Sequence, residues 1–97
     1  MYVIFSVQPE KKSKADELLK DDLVSRQSIV IRDCTSLGMK DLGLLIMIEG
    51  SEAAIKRARE LFIDTGKALE NPQAADAYTR FQKESDDVAS GVGLIFG

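Results

Sequence analysis

The single thiol of the chain, Cys34, is the first residue whose chemistry could support a reaction. It lies in the run Arg32-Asp33-Cys34-Thr35-Ser36, where a predicted strand gives way to a loop, and functional residues often occupy such positions. The chain contains no histidine, so no serine or cysteine can be activated by an imidazole of the same chain. Cys34 is therefore a candidate reactive residue, although a lone cysteine is more often a small apolar core residue.

The acidic pairs are the next groups that could do chemistry, as metal ligands or as acid and base. Asp21-Asp22 and Asp86-Asp87 are adjacent on predicted helices, and adjacent helical side chains point about 100° apart, so neither pair converges on one point. One cysteine and no histidine also exclude a zinc-finger type of site within the chain. We therefore assign no catalytic residue, no metal and no cofactor, and an enzyme is the less favoured class.

Two short motifs could bind anions. Gly50-Ser51 stands directly before a predicted helix, where free N–H groups attract negative charge. Lys56, Arg57 and Arg59 form the densest basic cluster, but the chain carries a net charge of −3. Because phosphate neutralisation supplies most nucleic-acid affinity, RNA binding by this cluster is only an alternative, and nucleic acid is not the expected partner.

The elements that must position these residues fit one small domain, covering residues 1–97. With 44% hydrophobic and 30% charged residues, the composition is typical of a soluble globular chain. No apolar run approaches the 18 or so residues that a membrane helix needs, and no signal peptide is evident. A single cysteine and the absence of a targeting segment predict a cytoplasmic protein without membrane association.

The spacing of apolar residues predicts alternating strands and helices. Apolar runs indicate strands, and stripes at helical spacing indicate helices. The order is β-α-β-β-α-(α)-β, which predicts an α+β two-layer sandwich of the ferredoxin-like type with an antiparallel four-stranded sheet and an extra helix before the last strand. The predicted elements are strands at 2–7, 28–34, 42–49 and 91–96, and helices from 9 or 13 to 25, from 51 to either Gly66 or Leu69, and 72–88.

The strands are apolar on both sides, which is unusual for a sheet with helices on one face only. One parity supplies the core facing the helices. The other parity still carries enough large apolar side chains for a patch of several hundred Å², a size that usually marks an interaction site. The residues of this second face are Tyr2, Ile4, Val30, Leu45, Met47 and Ile95.

Three covers could hide the second face. A second copy of the chain could pack on it, the extra helix at 72–88 could fold across it, or a ligand or foreign partner could occupy it. Burying ~500 Å² of apolar surface is worth on the order of 12 kcal/mol before association costs, so some cover is expected. A homodimer is the favoured answer, and the other two stay open.

The sequence thus predicts a small, non-enzymatic module that associates with itself through its second sheet face or an edge strand. A small ligand could bind at that interface, near the second-face residues or at Gly50 and Ser51. The alternatives are a small enzyme whose site is shared between subunits near Cys34, and a weak RNA-binding module.

Overall fold

The computed structural model describes residues 1–83, which form a four-stranded antiparallel sheet with helices on both of its faces. The strands lie in the order β2-β3-β1-β4. The strands are β1 (Tyr2–Val7), β2 (Ser28–Asp33), β3 (Leu44–Glu49) and β4 (Lys67–Ala68), and the helices are α1 (Lys12–Leu18), α2 (Glu52–Leu61) and α3 (residues 73–83).

The first three strands follow the sequence prediction closely. Each is rich in branched and aromatic residues, which pack well on a pleated surface. β1 pairs with β3 along its whole length, and β2 pairs with the other side of β3, from Ser28 opposite Glu49 to Asp33 opposite Leu44. β3 is therefore an inner strand, whereas β2 forms one edge of the sheet.

The second helix, α2, is shorter than the sequence predicts. It ends at Leu61, and Phe62 then turns into the core, followed by β4, which pairs with β1 through Phe5–Ala68 and Ser6–Lys67. Leu69 is buried in the second core and not on the α2 stripe. The first helix is also shorter than predicted, because 3-10 turns at Pro9–Lys11 and Val24–Arg26 flank it.

The fourth strand of the described sheet was not predicted from the sequence. It lies at residues 67–68, between α2 and α3, where the prediction had no strand. Sequence periodicity could not reveal a strand of two residues, because it contains a single alternation. The predicted strand at 91–96 lies outside the described residues.

The two faces of the sheet carry separate cores, so the predicted two-layer sandwich is corrected to three layers. On the first face, α1 and α2 pack against Val3, Phe5, Ile46 and Ile48. On the second face, α3 contributes to a core of ten buried residues: Ile4, Cys34, Leu37, Met39, Leu45, Met47, Leu69, Ala74, Ala77 and Phe81. Of the three covers, the structure therefore shows the extra helix.

One hydrogen bond and one aromatic contact hold α3 on this second face. The Arg80 guanidinium donates from Nη1 to the Leu37 carbonyl (2.7 Å), next to the left-handed Gly38. The Tyr78 ring stacks on Tyr2 with 4.1 Å between ring centroids. These contacts orient α3 over β1 and β3.

Candidate functional site

The predicted second-face residues are mostly inaccessible. Ile4, Leu45 and Met47 are 1%, 0% and 5% exposed within a single chain. The proposed contact of these three residues with a second copy is therefore corrected, because α3 already covers them. Tyr2 and Val30 are half-buried at the margin of α3, and Ile95 lies outside the described residues.

Cys34 is a core residue. It is 4% exposed and packs with Leu37 and Met39 beneath α3. Its neighbour Asp33 accepts hydrogen bonds from both the hydroxyl and the backbone N–H of Thr35, which lower the pKa of the Asp33 carboxyl. Asp33 therefore caps the 3-10 turn Cys34–Leu37 and is not directed at the thiol.

The backbone at Gly50 and Ser51 is occupied by groups of the chain itself. The Ser51 hydroxyl accepts from the Ala54 N–H (3.2 Å) as the N-cap of α2. The Ser51 N–H points to the Gln27 side-chain oxygen at 3.4 Å, and a methyl group on Gly50 would collide with the same side chain. The N–H groups of Ser51 and Ala54 at the start of α2 are therefore already bonded within the chain.

In the basic cluster of Lys56, Arg57 and Arg59, the central Arg57 forms an ion pair within the chain. Arg57 donates from Nε and Nη2 to Asp21 at 3.2 and 3.1 Å, and this guanidinium holds the pKa of the Asp21 carboxyl below its usual value. Asp21 also accepts from the N–H groups of Leu23 and Val24. Arg57 thus fastens α2 to the segment after α1, which leaves Lys56 and Arg59 as a weak basic surface.

A pocket beside β2 is the site at which the structure brings polar and apolar groups together. Its volume is about 220 Å³. Val30, Met47 and Phe81 form its apolar floor and wall. The polar rim consists of Ser28, Arg32, Glu49 and Gln82.

Glu49 at the rim of this pocket is tied to α3. The Tyr78 hydroxyl donates to Glu49 Oε2 at 2.6 Å, and this bond is the main reason why the pKa of Tyr78 is raised. Within residues 1–83, Glu49 Oε1 accepts no hydrogen bond. The carboxylate therefore keeps one acceptor oxygen for a further donor.

The outer edge of β2 borders the same pocket. Cys34 N donates to Gly43 O at 2.9 Å, one position beyond the Asp33–Leu44 pair, and antiparallel pairs alternate between bonded and non-bonded positions. The N–H groups of Ile29 and Ile31 therefore point away from β3. No strand pairs with this edge within residues 1–83, although Arg32 Nη1 donates to the Ile31 carbonyl at 2.8 Å.

A larger groove of about 730 Å³ lies at the opposite edge, beside β4. Its lining mixes Lys11 and Lys67 with Asp41, Asp64 and Glu70, so the charges do not converge on one sign. The Lys11 ammonium already donates to the Asp64 carbonyl at 3.2 Å. This groove offers no feature that selects one class of ligand.

Sequence reasoning missed the rim of the pocket. Phe81 lies on the predicted stripe of the third helix, and Glu49 ends a predicted strand, but their distance in sequence hides their proximity. Within residues 1–83, no group of three or more histidine, cysteine or acidic residues could hold a metal ion. The helices of this part of the chain are also too short or too polar to cross a bilayer.

Comparisons with protein-family models, curated proteins and solved structures give no match for this chain. Function is therefore inferred from the geometry of the pocket and of the β2 edge alone.

Proposed function

We propose that this chain is a small, non-enzymatic α/β module of the ferredoxin-like type that assembles with a second copy through the outer edge of β2, with which no strand of residues 1–83 pairs. The fold assignment is supported by the strand order β2-β3-β1-β4, with helices following β1 and β3. The observation that carries the assembly is the row of outward N–H groups on a six-residue edge strand.

An unpaired edge strand is a template for another strand, and proteins usually shorten or shield such edges. The two edges of this sheet differ in this respect. β4 has two residues, whereas β2 has six, and Ile29, Val30 and Ile31 are only half-buried. Antiparallel pairing of two β2 strands around a twofold axis would give an eight-stranded sheet and hide these side chains.

The expected association is weak. A strand-to-strand contact buries little area compared with a stable dimer interface. Arg32 also lies across the Ile31 carbonyl, so pairing has to displace its guanidinium or share the oxygen. We expect monomers at low micromolar and dimers at high micromolar concentration.

Amide hydrogen exchange tests this proposal without any substitution. The Ile29 and Ile31 amides should exchange quickly in dilute protein and more slowly as concentration rises, because pairing protects them. Ala68, whose N–H points away from β1 on the other edge, is the internal control and should not respond to concentration. Protection of Ile29 and Ile31 that is equal at all concentrations would contradict pairing between copies.

Proline substitution provides a second test. Ile29→Pro removes an outward N–H without breaking the β2–β3 ladder, and Ala68→Pro is the matched change on β4. Light scattering should show a loss of dimer only in Ile29→Pro, provided that both variants keep the circular dichroism of the parent. A dimer that survives Ile29→Pro would place the interface elsewhere.

The two alternatives gain little from the structure. A shared active site near Cys34 is not supported by its burial beneath α3, and an RNA surface is not supported by the pairing of Arg57 with Asp21. A cytoplasmic location stays a prediction that depends on the single thiol.

A further inference from the structure

We infer that the Arg32 guanidinium of one copy forms an ion pair with the Glu49 carboxylate of the second copy, and that two such pairs fix the register of the assembly. The inference rests on the proposed pairing of β2 strands and names the side chains that select its register. The guanidinium and the carboxylate both lie at the rim of the pocket beside β2. Two copies that face each other across this edge therefore complement each other in charge.

The hydrogen-bonding groups of β2 limit the possible registers. Its outward N–H groups include those of Ile29 and Ile31. A twofold axis at Val30 places Ile29 of one copy opposite Ile31 of the second copy, so these groups can bond in both directions. An axis at Ile29 would instead need the Gln27 N–H, which already donates to the Val24 carbonyl at 3.0 Å.

The axis at Val30 brings Arg32 within reach of the second copy's carboxylate. Arg32 of one copy then lies opposite Ser28 of the second copy, and within that copy Ser28 pairs with Glu49. All three side chains line the pocket, on the face that carries α3. Neighbouring strands lie about 5 Å apart, so about 10 Å separates the Cα atoms of the two charged residues. The long arginine side chain can span this distance because the serine between them is small.

An axis at Ile31 would also bond the two edges, but it lacks this match of charges. Arg32 of one copy would then lie opposite Val30 of the second copy, in the row that continues to Met47. Both of those side chains are apolar, so the guanidinium would lose water without gaining a carboxylate. The charges at the rim therefore favour the axis at Val30.

Both charged groups have the bonding capacity for this contact. Tyr78 donates to Glu49 Oε2 at 2.6 Å, which orients the carboxylate and, within residues 1–83, leaves Oε1 as an acceptor. Arg32 Nη1 donates to the Ile31 carbonyl at 2.8 Å, the oxygen that Ile29 of the second copy would also bond. A guanidinium has five N–H donors, so Arg32 can bond a carboxylate of the second copy while it keeps other contacts.

Charge reversal in separate chains tests the ion pair. Arg32→Glu and Glu49→Lys each place like charges together in both pairs of a homodimer, so either variant alone should raise the dimer midpoint at least about tenfold. An equimolar mixture of the two variants restores opposite charges in both pairs, and it should dimerise near the midpoint of the parent. Glu60→Lys, an exposed change on α2, is the matched control and should keep the parent's midpoint. Light scattering measures each sample, and circular dichroism checks that each variant folds.

Cysteine cross-linking tests the register without changing either charge. With the axis at Val30, the two Val30 positions form a non-hydrogen-bonded pair with Cα atoms about 4.5 Å apart, within disulfide range. The two Ile31 positions are then diagonal neighbours about 7–8 Å apart, beyond that range. Val30→Cys should therefore give a disulfide-linked dimer with oxidised glutathione, and Ile31→Cys, the matched change on the same strand, should not. The parent, whose Cys34 is buried, measures the background.

The outcomes separate the ion pair from the pairing of β2. Dimerisation of the mixed charge variants together with cross-linking at Val30 supports the inference. In a parent that dimerises, cross-linking at Ile31 instead, unchanged midpoints in the charge variants, or a mixture that stays monomeric overturns the ion pair and leaves the pairing in place. A parent that stays monomeric at high micromolar concentration, with no linked dimer in either cysteine variant, overturns the proposed assembly and the ion pair together. The cross-linking result decides the register even where a charge-reversed chain does not fold.

Discussion

On the first face of the sheet, α1 and α2 pack over β1, β3 and the inner side chains of β2, whereas on the second face α3 leaves β2 beside an open pocket. Among residues 1–83, the first face carries a continuous hydrophobic core. The second face has both a core, at β1 and β3, and a margin where apolar and charged groups meet. The two faces of the sheet therefore differ at the margin of α3, where polar and apolar side chains line a pocket.

The largest effect on stability is expected when a buried phenylalanine is replaced on each face of the sheet. Phe62 is fully buried and stacks on Phe5 with 4.5 Å between ring centroids, so Phe62→Ala should cost about 3–5 kcal/mol of unfolding free energy. Phe81 is buried too but lines the pocket, where part of its contact surface faces open space. Phe81→Ala should therefore cost less, about 2–3 kcal/mol.

Equilibrium urea unfolding followed by circular dichroism measures both values. An equal loss in the two variants would mean that the second face is packed as tightly as the first. That result would remove the structural distinction between core and margin.

A second test compares the two glycines of the β2–β3 connection that have positive φ. Gly43 (φ +66°) lies against β1, and an added methyl group would stand 2.5 Å from the Val7 carbonyl oxygen. Gly38 (φ +75°) lies beneath α3, where the nearest atom is Arg80 Nη1, at the end of a flexible side chain. Gly43→Ala should therefore cost about 2–3 kcal/mol and Gly38→Ala about 1–2 kcal/mol, since both bear the left-handed penalty but only one meets backbone.

Thermal and urea unfolding of these two variants provides the measurement. A larger loss for Gly38→Ala would show that the contact of Arg80 with Leu37 holds α3 more rigidly than its exposed position indicates. The second face would then depend on this contact for much of its stability.

The first three strands were predictable from the sequence because each contains a run of consecutive apolar residues. The doubly apolar pattern also indicated a cover for the second face, and Ala74, Ala77 and Phe81 were already on the predicted stripe of the third helix. The choice between a helix and a second copy could not be predicted, because both bury the same side chains. Only the path of the chain after Leu69 decides it.

The candidate site was less predictable than the fold. Its rim joins Ser28, Glu49 and Gln82, which come from three elements and share no motif. The fourth strand was missed for a related reason. Lys67 and Ala68 pair with Ser6 and Phe5 of β1, and a methyl group added at Gly66 would lie 2.8 Å from the Val7 side chain, so the strand depends on tertiary contacts that no local pattern encodes.

The polar contacts of the two faces should respond to pH in opposite directions, and the stronger response is expected on the second face. The bond from Tyr78 to Glu49 raises the pKa of the Tyr78 phenol above its usual value of 10.0. The folded state thus favours the neutral phenol. The stability that the Tyr78–Glu49 hydrogen bond contributes is therefore fully present below pH 10 and is lost as pH rises through the higher folded-state pKa. Tyr78→Phe should lower the urea midpoint at neutral pH, because it removes this hydrogen bond.

Ultraviolet titration of tyrosinate tests the assignment directly. One of the two tyrosines should titrate above the usual range, and Glu49→Gln should return it towards that range. An unchanged titration curve in Glu49→Gln would show that the carboxylate does not hold the phenol in solution, and the orientation of Glu49 at the pocket would lose its support.

The smallest expected effect belongs to the ion pair on the first face. Arg57 lowers the pKa of the Asp21 carboxyl below 3.8, so the folded state favours the charged carboxylate. The stability that the Asp21–Arg57 ion pair contributes is fully present above the unfolded-state pKa of Asp21 and is lost as pH falls through the lower folded-state pKa. Asp21→Asn should therefore lower the urea midpoint slightly at pH 7, and the difference from the parent should disappear in acid. Asp22→Asn is the matched control, because the adjacent Asp22 forms an exposed ion pair with Arg26. This variant should change the urea midpoint little at either pH. A deficit in Asp21→Asn that persists unchanged in acid would mean that its capping of Leu23 and Val24, rather than its charge, fastens the first-face helices.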